Sequence, residues 1–184
     1  AFVQAKMQAG ESIHEYIVQQ EMAQYFREEG LVTDSDPIVG AQENAGDPHY
    51  IPSAERHRLI KPNEILLLDL WGKLPTPGAV YADITWVGFT GRTPPEECVR
   101  AFDVVARARD AAIAVVQSAA ARGEDVRGWQ VDRAASTVLR DAGFGAHILH
   151  RTGHSLGETV HGNGVNMDDY ETHDDRRLLP GTGL

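Results

Sequence analysis

At 184 residues the chain is long enough for one domain with a sizeable core and short for two. Its 42% hydrophobic and 24% charged residues describe an ordinary globular protein, and a formal net charge of −10 disfavours nonspecific association with nucleic acid or an anionic membrane surface. The single cysteine, Cys98, excludes an internal disulfide framework, fits a reducing, cytoplasmic setting and, standing after Pro-Pro-Glu-Glu, reads as a small helix residue. No apolar run reaches the roughly 18 residues of a membrane span, and the opening Ala-Phe-Val-Gln-Ala-Lys is too polar for a secretory signal. The chain opens without methionine and stops at Leu-Leu-Pro-Gly-Thr-Gly-Leu, so both ends read as cut.

In chain order, Ser12-x-x-Glu15 reads as a capping box opening an amphipathic helix, with Ile13, Tyr16, Ile17 and Phe26 on its apolar side and Gly30 as its stop. Two segments rich in Ile, Leu, Val, Tyr and Trp follow, "EILLLDLWG" and "VYADITWVGF", joined by the turn-forming "KLPTPGA". They predict a hairpin from about Glu64 to Phe89. Thr93-Pro94-Pro95-Glu96, with proline at the first helical position, starts a second helix, alanine-rich and running to about Ala121. A third runs from about Val126 to Asp141 and stops at Gly143.

The first and third helices share a frame. "GESIHEYIVQQEMAQYFREEGL" and "GEDVRGWQVDRAASTVLRDAGF" both open Gly-Glu and place a second glycine 20 residues later, aligning Ile13 with Val126, Tyr16 with Trp129, Phe26 with Leu139 and Arg27 with Arg140. β-like segments follow each. The pattern predicts a duplicated helix-plus-strands architecture within one domain, 1–184, its halves about 1–92 and 93–184.

Two aspartates interrupt the apolar strands. Asp69 follows Leu66-Leu67-Leu68, and Asp83 sits fourteen residues on, inside the next strand. In an antiparallel pair centred on Thr76 they fall directly opposite each other. A one-residue change in the centre of that register makes them near-diagonal neighbours, with β-carbons then roughly 5 to 8 Å apart. Two carboxylates facing each other in a half-buried sheet repel, which a shared proton, a basic side chain or a cation relieves. The hairpin offers only Lys73, in the turn, and solvent exposure is the plain alternative. Carboxylates that bridge cations suit hydrolytic chemistry.

Three of the eight histidines lie in "HRTGHSLGETVHGNG". His150 and His154 have the spacing of a helical zinc motif, but no glutamate follows the first, and Gly153 and Gly157 are poor helix residues. In an extended chain His150 and His154 share a face and His161 takes the other, unless the loop bends. His154 sits in a glycine frame with room for close approach, and His150 reads as structural. His49 lies in the turn-rich "NAGDPHYIP".

Together, "DPHYIP", "EILLLDLWG", "VYADITWVGFTG" and "HRTGHSLGETVHG" resemble the pita-bread-fold metallopeptidases: aminopeptidase P, prolidase, methionine aminopeptidase and the related creatinase. The resemblance runs from about Gly10 to the end and looks closest to the Xaa-Pro aminopeptidases and prolidases. It implies an α+β fold of duplicated halves related by a pseudo-twofold, and a site with two divalent metal ions (Mn, Co or Zn) held by two aspartates, a histidine and two glutamates. Residue by residue, it implies Asp69, Asp83 and His154 as metal ligands, Thr85 as support behind them, and His49 and His161 as catalytic residues near substrate and oxyanion. It implies hydrolysis of an N-terminal peptide bond, Xaa-Pro above all, by a hydroxide activated between the metals. Partners are then a peptide substrate, no nucleic acid and no membrane, with a homodimer left open.

Departures from the family pattern are visible. The aspartate spacing is slightly wide, Trp86 stands where arginine is common, and Val160-His161 is followed by Gly162 rather than glutamate. The two glutamate ligands are absent. In the family the first follows a Leu-x-Pro-Gly turn, and here Leu179-Pro180-Gly181 is followed by only three residues. The expectation is a catalytic domain short of its last strands, with the segment alone inactive. A creatinase-like hydrolase of a non-peptide C–N bond and a noncatalytic peptide-binding module are the alternatives.

Overall fold

The computed structural model describes residues 2–184. The chain separates into two compact units, Ala1–Pro94 and Pro95–Leu184. Unit 1 contains helices α1 (Phe2–Gln8) and α2 (Glu15–Glu28) and strands β1 (Ile38–Ala41), β2 (Ile65–Gly72) and β3 (Ala82–Phe89), with a 3-10 turn at Gln42–Gly46 after β1. The strands form one antiparallel sheet of order β1-β2-β3. Neither α1 nor β1 is announced by the sequence pattern.

The sheet is fixed against α2 by an apolar cluster and a sealed carboxylate. Ile13, Val18, Val39, Ala41, Ile60 and Leu66 are buried together, with Phe2, Val3 and Met7 from α1 packed against them. Glu15 is not the glutamate of a capping box. It is the first residue of α2, fully buried, and its carboxylate accepts hydrogen bonds from the Ala41 amide (2.7 Å), the Asn44 side chain (2.9 Å), the Arg58 amide (2.8 Å) and the Tyr50 hydroxyl. The N-cap is His14, in extended backbone, whose Nδ1 accepts the Ile17 N–H at 3.4 Å. Long-range donors outcompete the local cap because they have no other partner inside the core. Burial, reinforced by the Glu15 carboxylate, raises the Tyr50 phenol well above its usual pKa, so it stays a donor.

Unit 2 is built on α3 (Glu96–Arg122) and α4 (Gly128–Asp141), with a 3-10 turn at Gly145–His147. Ala108, Ala112 and Ala119 of α3 bury against Val131 and Ala135 of α4, small side chains that allow the two helices to approach closely. Pro95 is the N-cap of α3 and not its first helical residue. Beyond α4 the expected strands do not form: among the described residues, strand-type pairing there is limited to the isolated bridges Arg127–Arg177, Gly153–Met167 and Leu156–Gly183.

The two units repeat one device. Helices α2 and α4 are both 14 residues long and end on a residue at φ −83°, ψ 0°. Each is followed by a glycine of positive φ, Gly30 at 69° and Gly143 at 87°, whose left-handed backbone lets the next amide return to the helix. Leu31 N–H thus donates to Phe26 O, and Phe144 N–H to Leu139 O, both at 2.8 Å. Four buried positions match, Glu15, Val18, Gln19 and Ala23 in α2 with Gly128, Val131, Asp132 and Ser136 in α4, which buries Ala135 as well.

Glu15→Ala strands four donors in the core of unit 1 and is expected to lower unfolding free energy by about 3 kcal/mol or more in urea titration; a loss under about 1 kcal/mol contradicts the role assigned to it.

Candidate metal centre

The hairpin register decides how the aspartates stand. β2 and β3 pair about Pro77, one residue later than Thr76, so Asp69 lies opposite Thr85 and Asp83 opposite Trp71. Of the two arrangements left open by the sequence, the diagonal one is realised. Asp69, Asp83 and Thr85 share one face, since side chains two apart on a strand point the same way. Both aspartates are half-buried. Thr85 Oγ1 donates to Asp69 Oδ1 at 2.6 Å, fixing that carboxylate's rotation. Trp71 is tied by its Nε1 to Asp34 Oδ1 at 2.7 Å, which pins the strand end beside Asp83. Lys73 leaves the turn's centre and lays its ammonium 5.1 Å from the Tyr81 ring.

The other candidates lie in loops. His49 occupies an exposed turn held by its own N–H on Asp47 Oδ1 at 2.9 Å, and the next residue, Tyr50, is the buried partner of Glu15. In unit 2 the loop does bend. The His154 and His161 rings stand 4.3 Å apart at 57°, in place of the opposite faces of an extended chain. His150 is exposed, sets Nδ1 2.7 Å from Arg151 O, and lines an apolar cavity of about 630 Å³ with Val105, Ala112, Leu139, Phe144 and Met167. The structure thus brings together an aspartate pair with its threonine in unit 1 and a histidine pair in unit 2. Among the described residues, no three or more His, Cys, Asp or Glu side chains are arranged to hold a metal ion.

The sequence reading missed the polar frame behind the histidines. Thr152 donates its N–H (2.8 Å) and hydroxyl to Asp132 Oδ1, and Gly153 exchanges two backbone bonds with Met167. Ser155 N–H donates to Asn166 Oδ1 at 3.1 Å, and Asn166 N–H donates to Asp174 Oδ2 at 2.8 Å. The Arg176 guanidinium on the buried Asp174, helped by the amides of Asn166 and Arg176, overrides desolvation and holds that carboxyl at about 2. The only local signal was the density of aspartates from Asp168 to Asp175, which reads equally as a solvated surface.

A family model described as metallopeptidase family M24 matches residues 1–183. The chain belongs to this family. It is 30% identical over 131 residues to an Xaa-Pro dipeptidase of Lactobacillus delbrueckii subsp. lactis, covering 71% of this chain and 32% of that protein. It is also 30% identical over 124 residues to a probable dipeptidase PepE of Mycobacterium tuberculosis, covering 67% and 30%. The chain spans about a third of the length of these curated relatives. The crystal structure of dipeptidase PepE from Mycobacterium ulcerans superposes with TM-score 0.72 at 27% identity over 92% of this chain and 42% of that one. A dipeptidase from Pyrococcus horikoshii gives 0.71 at 28% over 90% and 42%. The fold is the α+β pita-bread fold of this M24 family. No helix among the described residues is long and apolar enough to cross a membrane.

The lowered Asp174 pKa predicts acid sensitivity of this frame. A folded-state pKa of about 2, below the ordinary carboxyl value of 3.8, stabilises the protein above pH 3.8 and is lost as pH falls through 2. Arg176→Met should therefore cost up to ~2 kcal/mol at neutral pH in urea unfolding, with the wild-type advantage falling by more than half between about pH 5 and pH 2.5. A pH-independent difference refutes the pairing.

Proposed function

We propose that the chain is part of a metal-dependent exopeptidase that hydrolyses an N-terminal peptide bond, with Xaa-Pro substrates preferred. One observation carries this reading: a half-buried aspartate pair, diagonal on one face of β2 and β3, with Thr85 bound to one carboxylate. Like charges so placed are relieved by a cation between them. The dipeptidase names of the relatives, one of them an Xaa-Pro dipeptidase, support the substrate class. We read the two units as halves of one catalytic domain, working in the cytoplasm.

Two carboxylates and one imidazole form an oxygen-rich donor set that suits Mn²⁺, Co²⁺ or Zn²⁺. In this proposal Asp69, Asp83 and His154 hold two such ions, whose chemistry when bound is to activate water and polarise the scissile carbonyl. Thr85 keeps Asp69 in the rotamer that offers its second oxygen. His49 holds the substrate's carbonyl end. His161, beside His154, steadies the developing oxyanion and the leaving amine, a role in which a positioned imidazole contributes about 10²- to 10⁴-fold.

Measured on the complete gene product, Asp83→Ala should abolish both metal content by elemental analysis and Xaa-Pro hydrolysis. Full metal content in that variant sinks the ligand assignment. Thr85→Val should weaken metal binding by about 10- to 100-fold in calorimetry, the usual cost of losing an outer-shell hydrogen bond. His161→Ala should keep the metal and lower kcat by about 100-fold; loss of metal would mean that the two histidines have exchanged roles.

A further inference from the structure

The loop that carries both histidines closes around one side chain. Ser155 is 1% exposed, and its hydroxyl has no hydrogen-bond partner among the described residues. A buried hydroxyl in that state costs about 1–3 kcal/mol, so hydrogen bonding does not explain the residue. Its contacts do. A β-carbon added to Gly164 would lie 2.9 Å from Ser155 Cβ and 3.1 Å from Oγ, and one added to Gly162 would meet Leu156 C at 3.0 Å, with Ser155 O and Oγ both at 3.1 Å. The serine side chain fills the space that Gly164 leaves vacant and borders that left by Gly162.

The backbone around this plug is tied on each side. Ser155 N–H is held by Asn166 Oδ1 at 3.1 Å, Ser155 C=O accepts the Gly162 N–H at 2.7 Å, and Leu156 N–H donates to Gly183 O at 2.9 Å. His154 is one residue before the plug, and His161 is one residue before the amide that bonds it. Each ring therefore hangs one peptide unit from a point that Ser155 fixes.

We propose that Ser155 is the positioning residue of the His154–His161 pair, setting the 4.3 Å ring separation by its bulk and not by its hydroxyl. Gly164 is a glycine because the loop must wrap that bulk, and Gly162 because the Leu156 and Ser155 backbone also crowds it. The inference deepens the proposed function and rests on it only for the role of His154 toward a metal.

A size swap tests it. In Gly164→Ala the new methyl meets the Ser155 side chain at 2.9 and 3.1 Å, while the next neighbour, Thr182 Cγ2, is at an ordinary 3.6 Å. In Gly157→Ala, in the same loop, the nearest atom is at 3.6 Å. The readouts are the ring-to-ring NOE between His154 and His161 and the Zn²⁺ affinity of the complete gene product by calorimetry.

Wild type and Gly157→Ala should show the NOE. Gly164→Ala should lose it and bind Zn²⁺ about 10-fold more weakly. Ser155→Gly combined with Gly164→Ala should recover the NOE and bring affinity to within about threefold of wild type, because the methyl added at position 164 then occupies the vacated space. Should Gly164→Ala fail to fold, the double variant and Ser155→Gly alone, expected to lose the NOE while folded, still decide the matter. An NOE retained in Gly164→Ala or in Ser155→Gly, or a double variant no better than the single, overturns the proposal. An NOE that moves as expected with unchanged Zn²⁺ affinity supports the positioning role and overturns the ligand reading of His154.

Discussion

The pairing of β2 with β3 about Pro77 is the constraint on which the rest of unit 1 depends. Shifting either strand by one residue would send one aspartate to the opposite face, because the side-chain period of a strand is two. The register is held from the far side of the sheet. Leu66 and Leu68 lie opposite Ala41 and Val39 of β1, the latter two wholly buried, and the Ala41 amide is bound by Glu15. Just before β2 begins, Thr90 Oγ1 accepts the Glu64 N–H at 2.9 Å and donates to Lys61 O at 2.7 Å, stapling the hairpin's open end. A buried carboxylate on α2 thus anchors β1, and β1 in turn pairs with the strand that carries Asp69.

The two units show how one frame accommodates different interiors. Position for position, α2 and α4 share length, terminating glycine and buried stripe, but the first helical residue differs. In α2 it is Glu15, which gathers four donors from unit 1. In α4 it is Gly128, where a β-carbon would lie 1.9 Å from the Asn166 carbonyl oxygen. Unit 1 sends a side chain into its core at this point. Unit 2 instead brings the backbone of Asn166 in against the helix, and Asn166 is the residue that holds Ser155.

Local pattern explains what the sequence revealed. The hairpin, the three long helices and the Gly10/Gly123 repeat follow from alternation, capping glycines and proline placement, all signals within a few residues. The aspartates were legible as a pair because both interrupt apolar strands, but their diagonal relation awaited a turn centre that Thr76 and Pro77 offered equally. The misreading of Glu15 has the same origin. Ser12-x-x-Glu15 satisfies a local rule, whereas Ala41, Asn44, Tyr50 and Arg58, all more than 25 positions away, decide where the carboxylate goes. β1 is only four residues long, and its pairing partner lies beyond an intervening loop. The proximity of His154 and His161 was illegible because a loop closed on a buried serine leaves no periodic trace.

Unit 2 therefore holds its histidines by a different means from the sheet that holds the aspartates. After α4 the chain lacks a strand ladder to satisfy its amides, and three buried aspartates supply the acceptors. Asp132 takes the amides of Thr152 and Asp169, Asp168 those of Tyr170, Glu171 and Thr172, and Asp174 those of Asn166 and Arg176. For Asp168 desolvation opposes ionisation, yet the hydrogen bonds converging on it outweigh that cost and lower its pKa. Carboxylates that accept backbone N–H groups make stronger bonds than carbonyls do, and they can turn the chain at each contact where a ladder would run straight. That freedom to turn sets Asn166 against the Ser155 amide, so the frame behind the histidine loop depends on charge, whereas the geometry of the aspartate pair depends on register.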